Sequence, residues 1–334
     1  MALEFCDGFG HSTLADKWTY IQNGSIATSN PRYTNGSHAY STSTYPILRK
    51  SGLTASPTYW MGMACRWSGA GATACFAFWD GENIQVMGVI DSNGILNFYR
   101  GPMNTLLAAT ATLQNGAWTY IEVKVSIHAS TGVLEVRQNG TTVYSSSSLN
   151  TKAYGDNINA IGPWTTTGNP SGSNSLAVAD LYACSNTGSY NKDFLGDVRV
   201  QAILPSGAGN TTQMTPSAGS NYACVDEASP NGDTDYVSET TAGEKDTYVF
   251  GNLTPTSGTV KGVQVLIDAR KDDAGSRSIA PVYRPVSTDY DGTAVSIGDS
   301  YAYYREITEV SPATSTAWTI TEINGAEFGV KLIA

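Results

Sequence analysis

The chain is predicted to be almost entirely β, an antiparallel sandwich followed by a second, smaller β-sandwich domain. Three observations carry that prediction. The first is composition: charged residues make up 14% of the 334, with 34 Gly and 19 Tyr against 8 Phe. Few Lys, Glu and Arg leave few good helix formers for exposed positions, while Thr, Val, Tyr and Gly suit strands and tight turns. The second is alternation. Ile121, Val123, Val125 and Ile127 interleave with Glu122, Lys124, Ser126 and His128, a period of two that puts one face on a core and the other in water. The third is regular punctuation by Asp80-Gly81, Asn93-Gly94, Asn115-Gly116 and Asn139-Gly140.

Taken in order, the strand candidates are 2–6, 60–67, 73–79, 84–90, 95–100, 118–127, 132–138 and 176–184. Short strands at this spacing point to a sandwich or jelly roll instead of βαβ units. Ala129 to Gly132 turns the chain, and Leu134 and Val136 resume the alternation. A two-residue type I′ turn at Asn139-Gly140 would then set Val136 opposite Val143. Long loops are expected at 23–43 and 164–175. Residues 194–200 read as a late strand, and Pro205-Ser206-Gly207-Ala208-Gly209-Asn210 as a linker. Beyond it, Val263, Val265, Ile267 and Ala269 alternate with Gln264, Asp268 and Arg270, with Leu266 out of phase. Trp318 and Ile320, then Phe328, Val330 and Leu332, read as a final strand pair around Asn324-Gly325. No internal repeat of fixed period appears, which argues against a propeller or solenoid.

Charge divides the chain in the same place. Residues 1–205 hold 12 acidic and 11 basic side chains, net −1, whereas 206–334 hold 17 and 8, net −9. The overall −10 argues against nucleic acid or an anionic membrane as main partner. No apolar run reaches membrane-spanning length, and Glu4 follows Met1-Ala2-Leu3 with no leader pattern between. Cys6, Cys65, Cys75, Cys184 and Cys224 are odd in number and scattered, as expected of reduced, buried thiols made in a cytoplasm; a Cys65–Cys75 bridge is the rival reading.

Four motifs share one resemblance. The segment 118–140, the opening Asp7-Gly8-Phe9, Asp180-Leu181-Tyr182 and Phe194-Leu195-Gly196-Asp197-Val198-Arg199-Val200 together resemble concanavalin A-like (laminin G-like) jelly rolls. More narrowly, they are similar to those in virion proteins of tailed bacteriophages, where an Asp often stands at the place of Gly10. In those proteins a second β domain follows. Here 220–237, Lys271-Asp272-Asp273-Ala274-Gly275 and Glu327-Phe328-Gly329 resemble its pattern. The resemblance implies a jelly roll over 1–205 and an acidic C-terminal β domain over 206–334. It also implies a non-enzymatic virion protein displayed on the particle surface, as a tail-fibre, tail-tip or head-decoration component. Its implied partners are other virion proteins, further copies of itself (a trimer, by analogy with other phage surface proteins) and host glycans. A scarcity of edge-guarding Lys and Glu, with the low net charge of 1–205, places the self-contacts mainly in the first domain.

The rivals are a lectin proper and a jelly-roll glycoside hydrolase. Hydrolysis needs paired carboxylates about 5 to 9 Å apart. No dense E-x-D-x-x-E strand motif occurs; the nearest sets are Asp80 with Glu82, and Asp268 with Asp272 and Asp273, both also explained as solvated turn residues. His11, His38 and His128 lack a G-x-S-x-G elbow, and His11 and His38 fall in loops without metal-type neighbours. Sugar contact calls for aromatic faces beside polar groups. Trp79 with Asp80 and Asn83, the loop at Trp164, and Tyr33 and Tyr40 fit that composition, although strand-rich proteins bury most Trp in their cores. Asn231-Gly232-Asp233-Thr234-Asp235 offers alternating oxygens at Asp233 and Asp235 for calcium, and equally suits a tight turn. No cofactor is expected.

Overall fold

The computed structural model describes all residues except 12, 35, 42–45, 70 and 165–174, together with the side chain of Trp164. The chain divides into two compact units, Met1–Val200 and Gln201–Ala334. The first is an antiparallel jelly-roll sandwich. Its strands in chain order are β1 (Leu3–Asp7), β2 (Tyr20–Gln22), β3 (Ser25–Ala27), β4 (His38–Ser41), β5 (Ile47–Lys50), β6 (Thr58–Ser68), β7 (Thr73–Asp80) and β8 (Asn83–Ile90). Then come β9 (Ile95–Arg100), β10 (Thr105–Thr112), β11 (Thr119–Ser126), β12 (Gly132–Gln138), β13 (Thr141–Leu149), β14 (Ala160–Trp164) and β15 (Ser175–Ser185).

The larger sheet runs β13-β12-β11-β6-β15-β4-β3, with β1 also paired to β15; the smaller runs β10-β9-β8-β7-β14-β5-β2. Between them lies one apolar core that includes Phe5, Tyr59, Met61, Met63, Phe76, Phe78, Phe98, Val123, Val125 and Leu181. All eight strand candidates of the first unit are strands, and Ile121, Val123 and Val125 are fully buried as the alternation requires.

Four expectations need correction. The stretch 23–43 is not all loop: β15 still has a free ladder beyond β6, and β4 takes it, with β3 beyond. At Asn139-Gly140 both φ angles are positive, 48° and 80°, and Gln138 pairs Thr141 across a two-residue turn. A bulge follows, however, so Val136 faces Tyr144 and Val143 is displaced to the surface. Residues 194–200 form no strand. Finally, the outward face of β11 is not simply wet, because Glu122 is buried.

In the second unit the chain forms β16 (Pro205–Thr212), β17 (Thr215–Pro216), β18 (Val237–Ser238), β19 (Lys245–Phe250), β20 (Val263–Ala269) and β21 (Arg277–Arg284). These are followed by β22 (Tyr290–Asp291), β23 (Val295–Ile297), β24 (Ala302–Thr308), α1 (Ile320–Gly325) and β25 (Glu327–Leu332). The main sheet runs β16-β19-β25-β21-β22, with β23 on β21; β20 pairs β24 separately. The expected linker at 205–210 is therefore the edge strand β16. Its small residues let it lie close to β19: a Cβ on Gly209 would meet the Thr247 carbonyl oxygen at 2.4 Å. The expected final strand pair is instead a helical turn leading into β25. Thr319 accepts the Glu322 N–H at 3.1 Å while Glu322 reaches back to the Thr319 N–H, a capping box that outweighs the hairpin signal of Asn324-Gly325. Trp318, Ile323, Ala326, Phe328 and Tyr283 close this unit's core.

Candidate functional site

The outward face of the larger sheet is where the sequence motifs meet. Ala177 on β15 pairs both Tyr40 on β4 and Arg66 on β6; Ala64 on β6 pairs both Ala179 and Tyr120. Small residues thus form a floor between flanking aromatics. A bulge with φ of 51° at Asp180 turns its carboxylate to this face.

One half of the face is closed by the segment 194–200, which has no ladder of its own. Side chains rising from the sheet satisfy its backbone instead. The Tyr182 hydroxyl donates to Glu122 Oε1 and accepts the Leu195 N–H at 3.0 Å, while Glu122 Oε1 also accepts the Gly196 N–H at 2.8 Å. The Val200 N–H donates to Asp180 Oδ1 at 2.8 Å. Arg32 donates to Asp180 at 2.8 Å, to the Val198 carbonyl at 3.0 Å and to Asp197. Burial pushes the Asp180 carboxyl up, opposed by the Val200 N–H and Arg32. Two glycines permit these approaches: a Cβ on Gly62 would sit 2.2 Å from the Tyr182 ring, and one on Gly8 would sit 2.0 Å from the Val200 carbonyl oxygen.

Asp7 anchors the opening motif below. Its carboxylate, fully buried, accepts from the Phe9 N–H (2.8 Å) and the Trp18 indole (2.8 Å), and pairs with His11 (3.0 Å) and Lys17 (3.4 Å). Burial alone would raise its pKa, but Lys17, His11 and the Phe9 N–H hold it at about 2. His11 also lies 3.4 Å from Asp16, so the expectation of no carboxylate neighbours is corrected: the 3-10 turn Leu14–Asp16 brings them in. Burial would lower His11, but its hydrogen bond and charge contact with Asp7 prevail and raise it.

The other half of the face is open. The Arg66 guanidinium lies 5.5 Å over the Trp118 ring, and Arg199 lies 4.6 Å over Tyr33, which Arg32 also stacks on at 4.9 Å. Trp118 donates to the Asn30 carbonyl at 3.3 Å, joining the two stacks through the loop that carries Arg32 and Tyr33. Beneath, His38 is fully buried and meets Tyr40 and Trp118 edge-on, its centroid 6.1 and 5.7 Å from theirs. Among the described residues neither of its ring nitrogens has a hydrogen-bond partner. Burial, then Arg66, depresses its pKa to about 4, so it is neutral at pH 7. Among the described residues, Arg66 and Arg199 have no carboxylate within ion-pair distance, whereas Arg32, Arg49 and Arg137 each do. Tyr33, Tyr40, Trp118, Arg66 and Arg199 are all half-buried, with faces or edges left to solvent. Half-buried rings beside unmatched guanidinium groups can hold a sugar: its apolar face on a ring, its hydroxyls or carboxylate on the fork.

The structure brings together Tyr33 and Tyr40 of the sequence candidates and separates the rest. Trp79 is buried with Ala74, Ala77, Ile84, Met87 and Val89 on the smaller sheet, so its ring is not an exposed platform. Asp80 and Asn83 pair across the β7–β8 turn. The neighbouring Glu82 is held by both guanidinium nitrogens of Arg49 (2.6 and 2.8 Å), which lower its pKa. Trp164 ends β14, and its side chain and the loop beyond lie outside the described residues. His38 belongs to β4, and exposed His128 takes the Thr131 N–H at 2.9 Å as a turn cap. In the second unit Asp233 accepts from Arg270 (3.0 Å) and Tyr301 (2.8 Å), Asp235 accepts from Asn231, and Asp273 pairs with Arg277 (2.6 Å). A guanidinium therefore already pairs with Asp233. No group of three His, Cys, Asp or Glu converges as a metal site among the described residues. None of the five cysteines forms a disulfide, Cys65 and Cys75 included. Sequence reasoning missed Arg66, Trp118 and Arg199. The signal for Arg66 was its phase with Trp60, Gly62 and Ala64, opposite to the core-facing Met61, Met63 and Cys65.

No protein-family model matches the chain, and no curated protein matches it. Among solved structures, parts of the chain are similar to a sialidase (TM-score 0.36, 11% identity, 56% of this chain against 19% of that one). They are also similar to an alginate lyase of polysaccharide lyase family 7 (0.33, 14%, 47% against 82%) and to a tetrameric galectin from the ball sponge Cinachyrella sp. (0.31, 14%, 41% against 97%). The matched part spans about a fifth of the sialidase.

Proposed function

We propose that this chain is a non-enzymatic structural protein of a tailed-bacteriophage virion, displayed on the particle surface as a tail-fibre, tail-tip or head-decoration component. In this reading it touches host glycans through the open half of the larger sheet, around Arg66, Trp118, Tyr40, Arg199 and Tyr33. The observation that carries it is the convergence of the resemblance motifs. Gly8, Asp180, Tyr182, Gly196 and Val200, drawn from three separate segments, meet in one half-buried strap beside that open face. The use of the carboxylates favours a scaffold over a hydrolase. Asp7, Glu122 and Asp180 hold backbone N–H groups, and Asp246 in the second unit accepts from the Gln213 and Met214 N–H groups and from Asn221. Unmatched Arg66 and Arg199 favour an acidic sugar over a neutral one.

Two measurements test the reading. Particles purified from cells carrying the gene should contain the chain by mass spectrometry. The purified chain should bind acidic glycans on an array without releasing reducing sugar. A chain missing from particles removes the virion assignment. Sugar release that vanishes in Asp80→Asn or Glu82→Gln makes it a hydrolase instead.

A further inference from the structure

The two sheets of the first unit end on the same side of the sandwich, where β13 and β10 are edge strands lying against each other. Neither edge strand carries a charged residue of its own: no Asp, Glu, Lys or Arg occurs from Gly101 to Ile121 or from Gln138 to Thr151, in a chain of net charge −10. The nearest charges come from the neighbouring strands, Arg100 donating to Thr105 and Glu135 accepting from Thr142. β13 is nine residues long, none of them buried, and among the described residues one of its backbone edges has no strand beside it. Val143 (41% exposed) and Leu106 (55%) project from the two strands. Edge strands of monomers are normally shortened, charged or interrupted by proline, because a bare edge is a template for pairing. β10 and β13 carry neither charge nor proline, and β13 is long; the bulge at Val143 is its one interruption near the turn.

We propose that β13, supported by the adjoining β10, is the surface through which two copies of this chain associate. The occupant is a second copy because the surface complements itself. Uncharged Thr141, Thr142 and Ser145 around Val143 repel nothing when the same strand is laid antiparallel across a two-fold axis. Antiparallel pairing of a strand with its own copy is isologous and closes at two. The assembly is therefore a dimer through this surface, in place of the trimer implied by resemblance. The inference stands apart from the virion and glycan readings, which its failure leaves intact.

Sedimentation velocity on the full chain across the micromolar range tests it, with Val143→Lys and Ser145→Lys as interface variants. Val286→Lys, in the second unit where Val286 is 76% exposed, is the control. Each variant's melting temperature is checked against the parent, since all three positions are exposed. The expected result is a dimer for the parent and the control, with the dimer's dissociation constant raised at least tenfold in both interface variants. A parent that is monomeric throughout, a trimer, or a dimer indifferent to both lysines overturns the proposal. So does a dimer dissolved only by Val286→Lys.

Discussion

The closed and open halves of the larger sheet's outward face use the same ingredients, arginines stacked on aromatic rings over a floor of alanine and glycine. They differ in whether the arginine over the ring also has a carboxylate partner. In the closed half Arg32 lies 4.9 Å over Tyr120 and is paired with Asp180, and the hydroxyl of Tyr120 bonds the Asp180 carbonyl at 3.0 Å. In the open half, among the described residues, Arg66 has its ring but no acid, and His38 beneath it has no hydrogen-bond partner. Matched groups hold the fold together; unmatched ones await something from outside. Stability and binding should therefore separate along this line.

The largest effect should come from the core that both halves share. Val123→Asp or Val125→Asp buries an unpaired carboxylate at a cost of several kcal/mol and should leave no folded protein by circular dichroism. If Lys124→Ala proved the more damaging, the facing of β11 would be off by one residue. Next, Asp180→Ala leaves Arg32 short of its buried partner and frees the Val200 N–H. It should lower stability by about 3 kcal/mol in urea titration; a loss no larger than a surface substitution would mean that the strap is ornamental.

Acid titration sharpens the comparison from a third side. The folded carboxyl of Asp7 lies at about 2, below its ordinary 3.8. Its contribution, about 2 kcal/mol, is full above the ordinary value and lost as pH falls through 2. Asp7→Asn should flatten this acid limb. His11 is raised, so its contribution is full below its ordinary 6.5 and fades as pH rises through the folded value. His11→Gln should remove that neutral-side slope. The smallest change belongs to Lys124→Ala, which removes only an exposed-side stack on Trp60 (5.1 Å) and should cost under about 1 kcal/mol.

How much of this was legible follows from where each residue's partners lie. Alternation sufficed for β12 and for the core face of β11, because a face turned to the core writes itself into the strand's sequence; it did not show that Tyr120 and Glu122 on the other face of β11 are buried as well. The segments 194–200 and 205–210 misled in opposite directions. Val198 and Val200 look like strand residues, yet the backbone of 195–200 is held by Tyr182, Glu122 and Asp180 from distant strands and by Arg32 from a loop. Pro205 to Asn210 looks like a linker, yet β19 supplies a ladder that overrides weak strand propensity. Trp79 was singled out for its polar neighbours, but it points to the opposite side of the β7–β8 turn from them. The open face itself stayed hidden because Tyr40, Arg66 and Trp118 come from three segments, and only the register across Ala177 makes neighbours of Tyr40 and Arg66.

The most direct measurement compares Arg66→Ala with Asp180→Ala, each followed by thermal melting and by binding to an acidic glycan from the array. Arg66→Ala should melt within a few degrees of the parent yet lose most of its binding, while Asp180→Ala should lose stability first. An Arg66→Ala protein that binds as the parent does, or that unfolds as readily as Asp180→Ala, would contradict the division of this face into a matched half and a waiting one.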